Sequence, residues 1–558
     1  MAARSALVAS VRARIAAAEV RVGGAPSSAL RIRARWFTAG STARTSASST
    51  STSTSNPIDE LNSRGLIQHS TSRAVAQHLA SPDAAPRTIY LGIDPSAPSL
   101  HLGNLLPLFA LFHLANVGHR CIALVGGATG SIGDPSGRAT ERSALAKEEL
   151  EHNLDGIVQQ LSDFFGAAGL WAAENLPALP PLPGRDARKE WDEVQALLKR
   201  KETLAAVRVG NGSVFVVNNR AFYEEMNILN FLGDVGRHVR IGDMLARDSV
   251  KRRIQPTPEN PDPPGLSFTE FSYQLLQAYD FSLLHRSPWN CTVQLGGSDQ
   301  LGNIMAGIDL IRRQSASPAS GTEAATPAFG LTVPLLTTSS GAKFGKSAGN
   351  AVWLDRDLTS DLDLYQYFLR HVTDADAPSL LSKLTLLPPH ARTPDAAGPD
   401  SGSESSPRAA QTLLASHLTS LLRGDAALKQ AQLASRMLFT SPSSSSSASI
   451  SDLTSLTRTQ VEETLQGLPL LKQRSRSEVL GIEVWKLVAD VGLVSSRSEG
   501  RRTLQNGGVY LNSRVLAKGD LGRVVGEEDV LGTQGSSGAP GFLIVRSGKS
   551  SHAVILID

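Results

Sequence analysis

Cysteine is almost absent from this chain: across 558 residues only Cys121 and Cys291 occur. One disulfide is the most that can form, a zinc cage built on cysteines is excluded, and a reducing compartment fits best. Long hydrophobic runs are absent as well. No window of about 18 consecutive apolar residues appears, so no membrane span is expected. Two phosphate-binding signatures are missing. There is no G-x-G-x-x-G at a strand–helix turn and no G-x-x-x-x-G-K-[ST], which argues against a dinucleotide enzyme and a P-loop NTPase. Acid is scarce at the amino terminus. Residues 1–58 carry Arg4, Arg12, Arg14, Arg21, Arg31, Arg33, Arg35 and Arg44 against Glu19 alone, with no lysine, so they hold +7 and the remainder −4 of a net charge of +3.

What is present begins with that leader. Residues 1–57 are rich in Arg, Ala and Ser, and a helix over 7–22 would set Val8, Val11, Ile15 and Val20 opposite several arginines. This is the composition of a mitochondrial transit peptide, the alternative being a disordered basic tail. From Ile58 onward helices and strands alternate, the signature of a parallel α/β sheet. The pattern predicts helices over 58–65 and around 74–79, a strand over 88–93, a helix over 102–116 and a strand over 121–125 that runs into a glycine-rich loop. A helix over 147–166 leads into a Pro-rich break at 176–184 and then a charged segment over 185–200 that reads as surface, within an insertion spanning about 167–255. Low-complexity stretches at 393–407 and 441–451 frame a helical block, and the last 80 residues form a compact α+β unit.

Several polar clusters fall at the ends of these elements. A helix N-terminus carries unpaired N–H groups and partial positive charge, so the junction from Tyr90 to Asn104 is a natural phosphate site. His101 and Asn104 are three apart and share one helix face, and Gly103 leaves room for a ligand to reach the backbone. Tyr273, Gln277 and Asp280 recur at spacings of four and three on a helix otherwise rich in Phe and Leu. Gln294 lies on a strand that ends in a glycine turn followed by Asp299 and Gln300; in an open parallel sheet that turn faces the same crevice as His101. Lys343 and Lys346, three apart on a glycine-containing loop, can clamp a polyphosphate. Near the C-terminus Arg497, Arg501 and Arg502 mark one helical surface, suited to an RNA backbone or simply to solvent.

Taken together these pieces resemble the tyrosyl-tRNA synthetases of bacterial and mitochondrial type, which are class I aminoacyl-tRNA synthetases. The resemblance runs from about Ile58 to the C-terminus. It rests on His101-Leu-Gly-Asn104 for the H-I-G-H box, Lys343-Phe-Gly-Lys-Ser347 for the K-M-S-K-S loop, Gly-Gly-Ala-Thr-Gly leading to Asp134-Pro-Ser-Gly, Phe-Thr-Glu-Phe-Ser-Tyr273 and Gln294-Leu-Gly-Gly-Ser-Asp-Gln300. It implies a Rossmann-like catalytic domain over 58–360, a helical anticodon-recognition domain over 361–470 and an S4-like RNA-binding domain over 479–558. It implies activation of L-tyrosine by ATP with Mg²⁺, and transfer to the 3′ end of a mitochondrial tRNA(Tyr) in the matrix, by a homodimer.

By the same resemblance Tyr90 and Asp280 bind the tyrosine hydroxyl. Asp134, Tyr273 and Gln277 hold the ammonium, and Gln294 and Gln300 line the pocket. His101, Asn104, Lys343, Lys346, Ser347, Arg138 and Arg142 meet the phosphates, while Asp94, Gly103 and Asp299 serve the ATP side. Three departures stand out: Asn104 replaces the usual second His, Leu91 replaces a polar ribose contact found in some relatives, and Phe344-Gly345 replace Met and Ser. An alternative is an additional non-enzymatic RNA-binding role in group I intron splicing.

Overall fold

The structure, a computed structural model, describes residues 56–80, 86–136, 145–177, 179, 187–256, 261–263, 265–316, 326–338, 341, 344–347, 350–392, 408–439, 456–465, 470–512, 514–532, 540–548 and 551–558. The leader expected over 1–57 lies outside these residues except at its last two positions, and Arg138, Arg142 and Lys343 lie outside them too. Lys346 and Ser347 are described by backbone alone. The chain divides into two compact units, 1–358 with 372–414, and 359–371 with 415–558.

The first unit opens with α1 (Pro57–Ser63), started by Asn56, whose side chain accepts from the Ile58 N–H, and by a proline at the first turn. Next come β1 (His69–Ser70), α2 (Ala74–Ala80), β2 (Thr88–Ile93), α3 (Leu102–Val117), β3 (Arg120–Val125), α4 (Lys147–Asn175), α5 (Ala187–Leu198), β4 (Thr203–Val209) and β5 (Gly212–Asn218). After these run α6 (Ile228–Asp234), α7 (Ile241–Leu245), α8 (Asp248–Ile254), α9 (Phe268–His285), β6 (Cys291–Gly297), α10 (Leu301–Ser315), β7 (Phe329–Val333) and the short pair β8 (Lys346–Ser347) and β9 (Asn350–Ala351).

Seven strands form one sheet in the order β1-β7-β6-β2-β3-β5-β4. The five inner strands are mutually parallel, and β1 and β4 close the edges antiparallel. Buried on both faces, the inner strands read as near-continuous apolar runs rather than alternating ones, which is why β2 and β3 are so plain in the sequence. From β2 the chain builds outward through β3 to β5, then returns to the other side for β6 and β7. The switch point therefore lies between β2 and β6, and a crevice opens at their carboxyl ends.

The segments expected as a surface insertion contribute more to the core than the charge pattern suggested. Val194 and Leu197, three apart on α5, are buried in one cluster with Tyr90, Ile122 and Phe215, and β4 and β5 are strands of the main sheet. The polar face of α5 outnumbers its apolar stripe and hides it in a composition count. Likewise α4 continues past residue 166, because Ala168 and Ala172 carry its buried stripe onward. Two buried arginines fasten the periphery. Arg253 pairs with Glu270 at 2.8 Å, both at most 3% exposed, fixing the first turn of α9. Arg64 donates to the Thr385 carbonyl at 2.8 Å, fastening α1 to the chain that follows a helix over Ala377–Leu384.

In the second unit α11 (Asp361–His371), α12 (Asp425–Phe439) and α13 (Arg458–Leu465) precede β10 (Leu471–Arg474), α14 (Val484–Asp490), α15 (Arg497–Gln505), β11 (Val509–Leu511), β12 (Arg514–Leu516), β13 (Gly541–Ser547) and β14 (Ser551–Ile557). The sheet order is β10-β14-β13-β11-β12. Alternation along β13 and β14 sends Phe542, Ile544, Val554 and Leu556 into a core with Met437, Val461 and Leu465. Leu543, Val545, Ile555 and Ile557 enter a second core with α14 and α15. The helices of 425–465 and the terminal sheet thus share one core, and β10 brings the start of the C-terminal sheet forward of residue 479.

Candidate active site

The crevice at the switch point is a cleft of about 380 Å³ whose lining includes Tyr90, Asp94, His101, Asp134, Gln294 and Phe344. It is bounded by three junctions: the end of β2 with the start of α3, the turn after β3, and the end of β6. At the first, His101 caps α3. Its backbone N–H donates to Asn104 Oδ1 at 2.9 Å, so the Asn104 amide spends its oxygen on the helix start and keeps its NH₂ for the cleft. A Cβ at Gly103 would lie 2.9 Å from His101 Cε1; the glycine makes room for the imidazole as well as for a ligand. The loop holding Phe344 to Ser347 is stitched to the same place. Leu102 N–H donates to the Val352 carbonyl at 3.1 Å and Val352 N–H to the Gly345 carbonyl at 3.1 Å. Gly345 sits at φ +78°, with its Cβ direction 3.1 Å from Leu102 Cβ.

The floor of the cleft is polar and buried. Tyr90, 1% exposed, has an Oη with no hydrogen-bond partner among the described residues. Asp280 accepts from Asn219 Nδ2 at 2.9 Å and from Tyr223 Oη at 2.8 Å. Burial pushes the Asp280 carboxyl up to about 7, while the bonds from Asn219 and Tyr223 pull it down and Asp94 adds a smaller upward push. Burial, and then the nearby Asp280 charge, raise the Tyr90 phenol well above its ordinary value. Gln294, paired in register with Tyr90, presents a buried Oε1 without a partner among the described residues.

Above the floor, Asp94 accepts from Tyr273 Oη at 2.7 Å and from Thr129 Oγ1 at 2.8 Å. Gly126 is required there, because a Cβ would fall 2.0 Å from Asp94 Oδ1. Across the cleft, Gln300 Nε2 donates to Asp134 Oδ2 at 2.6 Å, and Asn303 Nδ2 lies 3.0 Å from Gln277 Oε1 and 3.4 Å from Asp134 Oδ1. One end of the cleft thus offers a buried acceptor with a buried phenol, and the other a carboxylate ringed by amides. Beyond both lies a helix start carrying His and Asn.

This arrangement has known counterparts. The family described as tRNA synthetases class I (W and Y) matches residues 83–440. The chain belongs to that family. It is 37% identical over 478 residues to the mitochondrial tyrosine–tRNA ligase of Drosophila melanogaster, covering 84% of this chain and 87% of that one. It is 34% identical over 505 residues to the chloroplastic/mitochondrial tyrosine–tRNA ligase of Arabidopsis thaliana, covering 90% and 84%. A C-terminally truncated mitochondrial tyrosyl-tRNA synthetase of Aspergillus nidulans superposes with a TM-score of 0.55 at 29% identity, covering 69% of this chain and 94% of that one.

In this class I synthetase the residues singled out from sequence for the amino acid and ATP gather around one cleft wherever their side chains are described: Tyr90, Asp94, His101, Gly103, Asn104, Asp134, Tyr273, Gln277, Asp280, Gln294, Asp299 and Gln300 all line it. The polar face of α9 is not a solvated exterior; Tyr273 and Asp280 are buried. Asp94 and Tyr273, expected to serve different substrates, are bonded to each other. Four residues were missed: Thr129, Asn219, Tyr223 and Asn303. Asn219 directly follows the carboxyl end of β5, so the rule that pointed to β2 and β6 applies equally to it. Asn303 lies one helical turn after Gln300. Nothing in the pattern marks Tyr223. The arginines expected to touch RNA lie on α15 of the second unit: Arg501 and Arg502 are exposed, and Arg497 is held by Asp490 at 3.0 Å.

Proposed function

We propose that this synthetase activates L-tyrosine with ATP and transfers it to the 3′ end of a tRNA(Tyr). The observation that carries the choice of amino acid is the cleft floor, where Asp280 and a Tyr90 Oη without a partner among the described residues await a phenolic hydroxyl. A buried polar pair left unsatisfied by phenylalanine rejects it strongly, whereas an indole offers no hydroxyl at all. Asp134, with Gln277 and Tyr273, receives the ammonium; Gln294 and Gln300 orient the carboxylate. That carboxylate attacks the α-phosphorus of ATP, the bond to the bridging oxygen breaks, and pyrophosphate leaves. A hydroxyl of the terminal tRNA ribose then attacks the carbonyl carbon and releases AMP.

No side-chain nucleophile is needed, so the chain contributes positioning and charge stabilisation. His101, Asn104 and the α3 start face the phosphates, joined by Lys343, Lys346, Ser347, Arg138 and Arg142; Asp94, Gly103 and Asp299 hold the adenosine side. The Mg²⁺ is taken up with ATP, on phosphate oxygens. The relatives from mitochondria and the acid-poor leader support a mitochondrial enzyme, and we assign it to the matrix. The terminal α+β unit is read as S4-like and RNA-binding. Exposed Ile228, Leu229, Leu232 and Ile241 on α6 and α7 support a homodimer.

The test is ATP–pyrophosphate exchange across the amino acids with purified protein. Exchange with tyrosine alone is expected; exchange driven by tryptophan would overturn the assignment.

A further inference from the structure

Tyr223 stands on a short helical turn, Arg220–Tyr223, directly after β5, with its hydroxyl in the same buried group as Asp280. Its Oη lies 2.8 Å from Asp280 Oδ1 and 3.0 Å from the Leu276 carbonyl oxygen, two acceptors for one proton. While Asp280 is ionised, the carboxylate is the stronger acceptor and takes that proton. If Asp280 is protonated, its own O–H can donate to Tyr223 Oη, and the phenol turns to Leu276. The first arrangement is the stronger, because its bond from Tyr223 is charge-assisted and the second's is not. Asn219 Nδ2 covers the other carboxylate oxygen at 2.9 Å, and Thr129 Oγ1 lies 3.1 Å from the same nitrogen. Each Asp280 oxygen therefore keeps one lone pair for a ligand.

We infer that Tyr223 is a positioning residue for amino-acid selection: its hydroxyl holds Asp280 as a charged acceptor aimed at the substrate phenol. The inference rests on the tyrosine reading above and deepens it. The groups facing Asp280 are Tyr90 from β2, Asp94 beyond it, Asn219 and Tyr223 after β5, and Tyr273 and Tyr279 on its own helix. Among these Tyr223 and Asn219 bond to the carboxylate and favour its ionised form. A charged acceptor also sharpens the rejection of phenylalanine, which would leave a buried charge without its last partner.

The experiment measures equilibrium binding of tyrosine and phenylalanine by calorimetry between pH 5.5 and 9 for the wild type, Tyr223→Phe, Asp280→Asn and the double variant. Tyr223→Phe keeps the ring packing on Tyr279, whose centroid lies 5.7 Å away. Its tyrosine-over-phenylalanine preference should fall roughly tenfold or more at neutral pH, the range expected for a hydrogen bond to a charged group. The pH midpoint of tyrosine binding should rise, and in the Asp280→Asn background the same substitution should change neither quantity. Should Tyr223→Phe fail to fold, 3-fluorotyrosine placed at 223, a stronger donor, should lower the midpoint instead. An unmoved midpoint and preference in a folded variant overturn the inference. A wild type that does not bind tyrosine overturns the function proposed above.

Discussion

Asp280 is expensive to keep charged where it sits. In the unfolded chain its carboxyl titrates near 3.8, and in the fold burial raises it to about 7. A group whose folded value is raised binds protons more tightly in the native state, so its stabilising contribution is complete below about pH 4 and is lost as pH rises through 7. Compared with Asp280→Asn, the wild type should therefore lose stability progressively from about pH 4 to 7 and then run parallel to the variant. Urea unfolding midpoints measured at half-unit intervals check this; curves parallel over the whole range would refute the burial argument. The same residue shows the reach of sequence reasoning at this scale. The spacing of Tyr273, Gln277 and Asp280 was legible, because three residues at helical period must share a face. That the face is buried was not, since burial depends on β2 and the turn after β5, which lie far away in sequence.

At the level of elements, the turn from β2 into α3 and the turn after β3 are built with glycines that do opposite things. Gly126 is filled by its surroundings, with Asp94 and Thr129 inside the space a methyl would need. Gly92, at the end of β2, has nothing within 4 Å of its Cβ direction and lines the cleft. Gly92→Ala should accordingly leave thermal stability within about 1 kcal/mol of wild type. It should still weaken tyrosine or ATP binding about tenfold or more, because the methyl takes space that the ligand needs. Gly126→Ala should impair both fold and exchange. Melting curves alongside KM values for the two substrates distinguish these outcomes, and a Gly92→Ala enzyme with normal KM values would show that no ligand passes over that backbone. Strands β2 and β3 could be placed from composition because buried parallel strands are uniformly apolar. Helix α5 could not, because its two core contacts, Val194 and Leu197, are outnumbered by charged neighbours.

Across the whole molecule, the alternation of helices and strands after Ile58 was enough to forecast a parallel sheet. The division of the C-terminal part was not readable, since the core shared by α12, α13 and the terminal sheet joins segments separated by low-complexity sequence. Which side chains of the stretch over 226–245 face outward was not legible, because that depends on the packing beneath. Phe231 and Val235 turn inward onto Ala278, Tyr279 and Leu310. That leaves Leu229 76% and Ile241 70% exposed, with Ile228, Leu232 and Leu245 also outward. A monomer rarely leaves so many large aliphatic side chains in water on neighbouring segments, whereas a two-fold interface would bury each set against its copy. Replacing Leu229 and Ile241 together by Asp should put two charges per subunit at such an interface and weaken association about a hundredfold or more. Sedimentation equilibrium at micromolar concentration should give twice the chain mass for the wild type and the single chain mass for the variant, with the circular dichroism of both alike. A wild type that sediments as a single chain under these conditions would return the patch to some other partner.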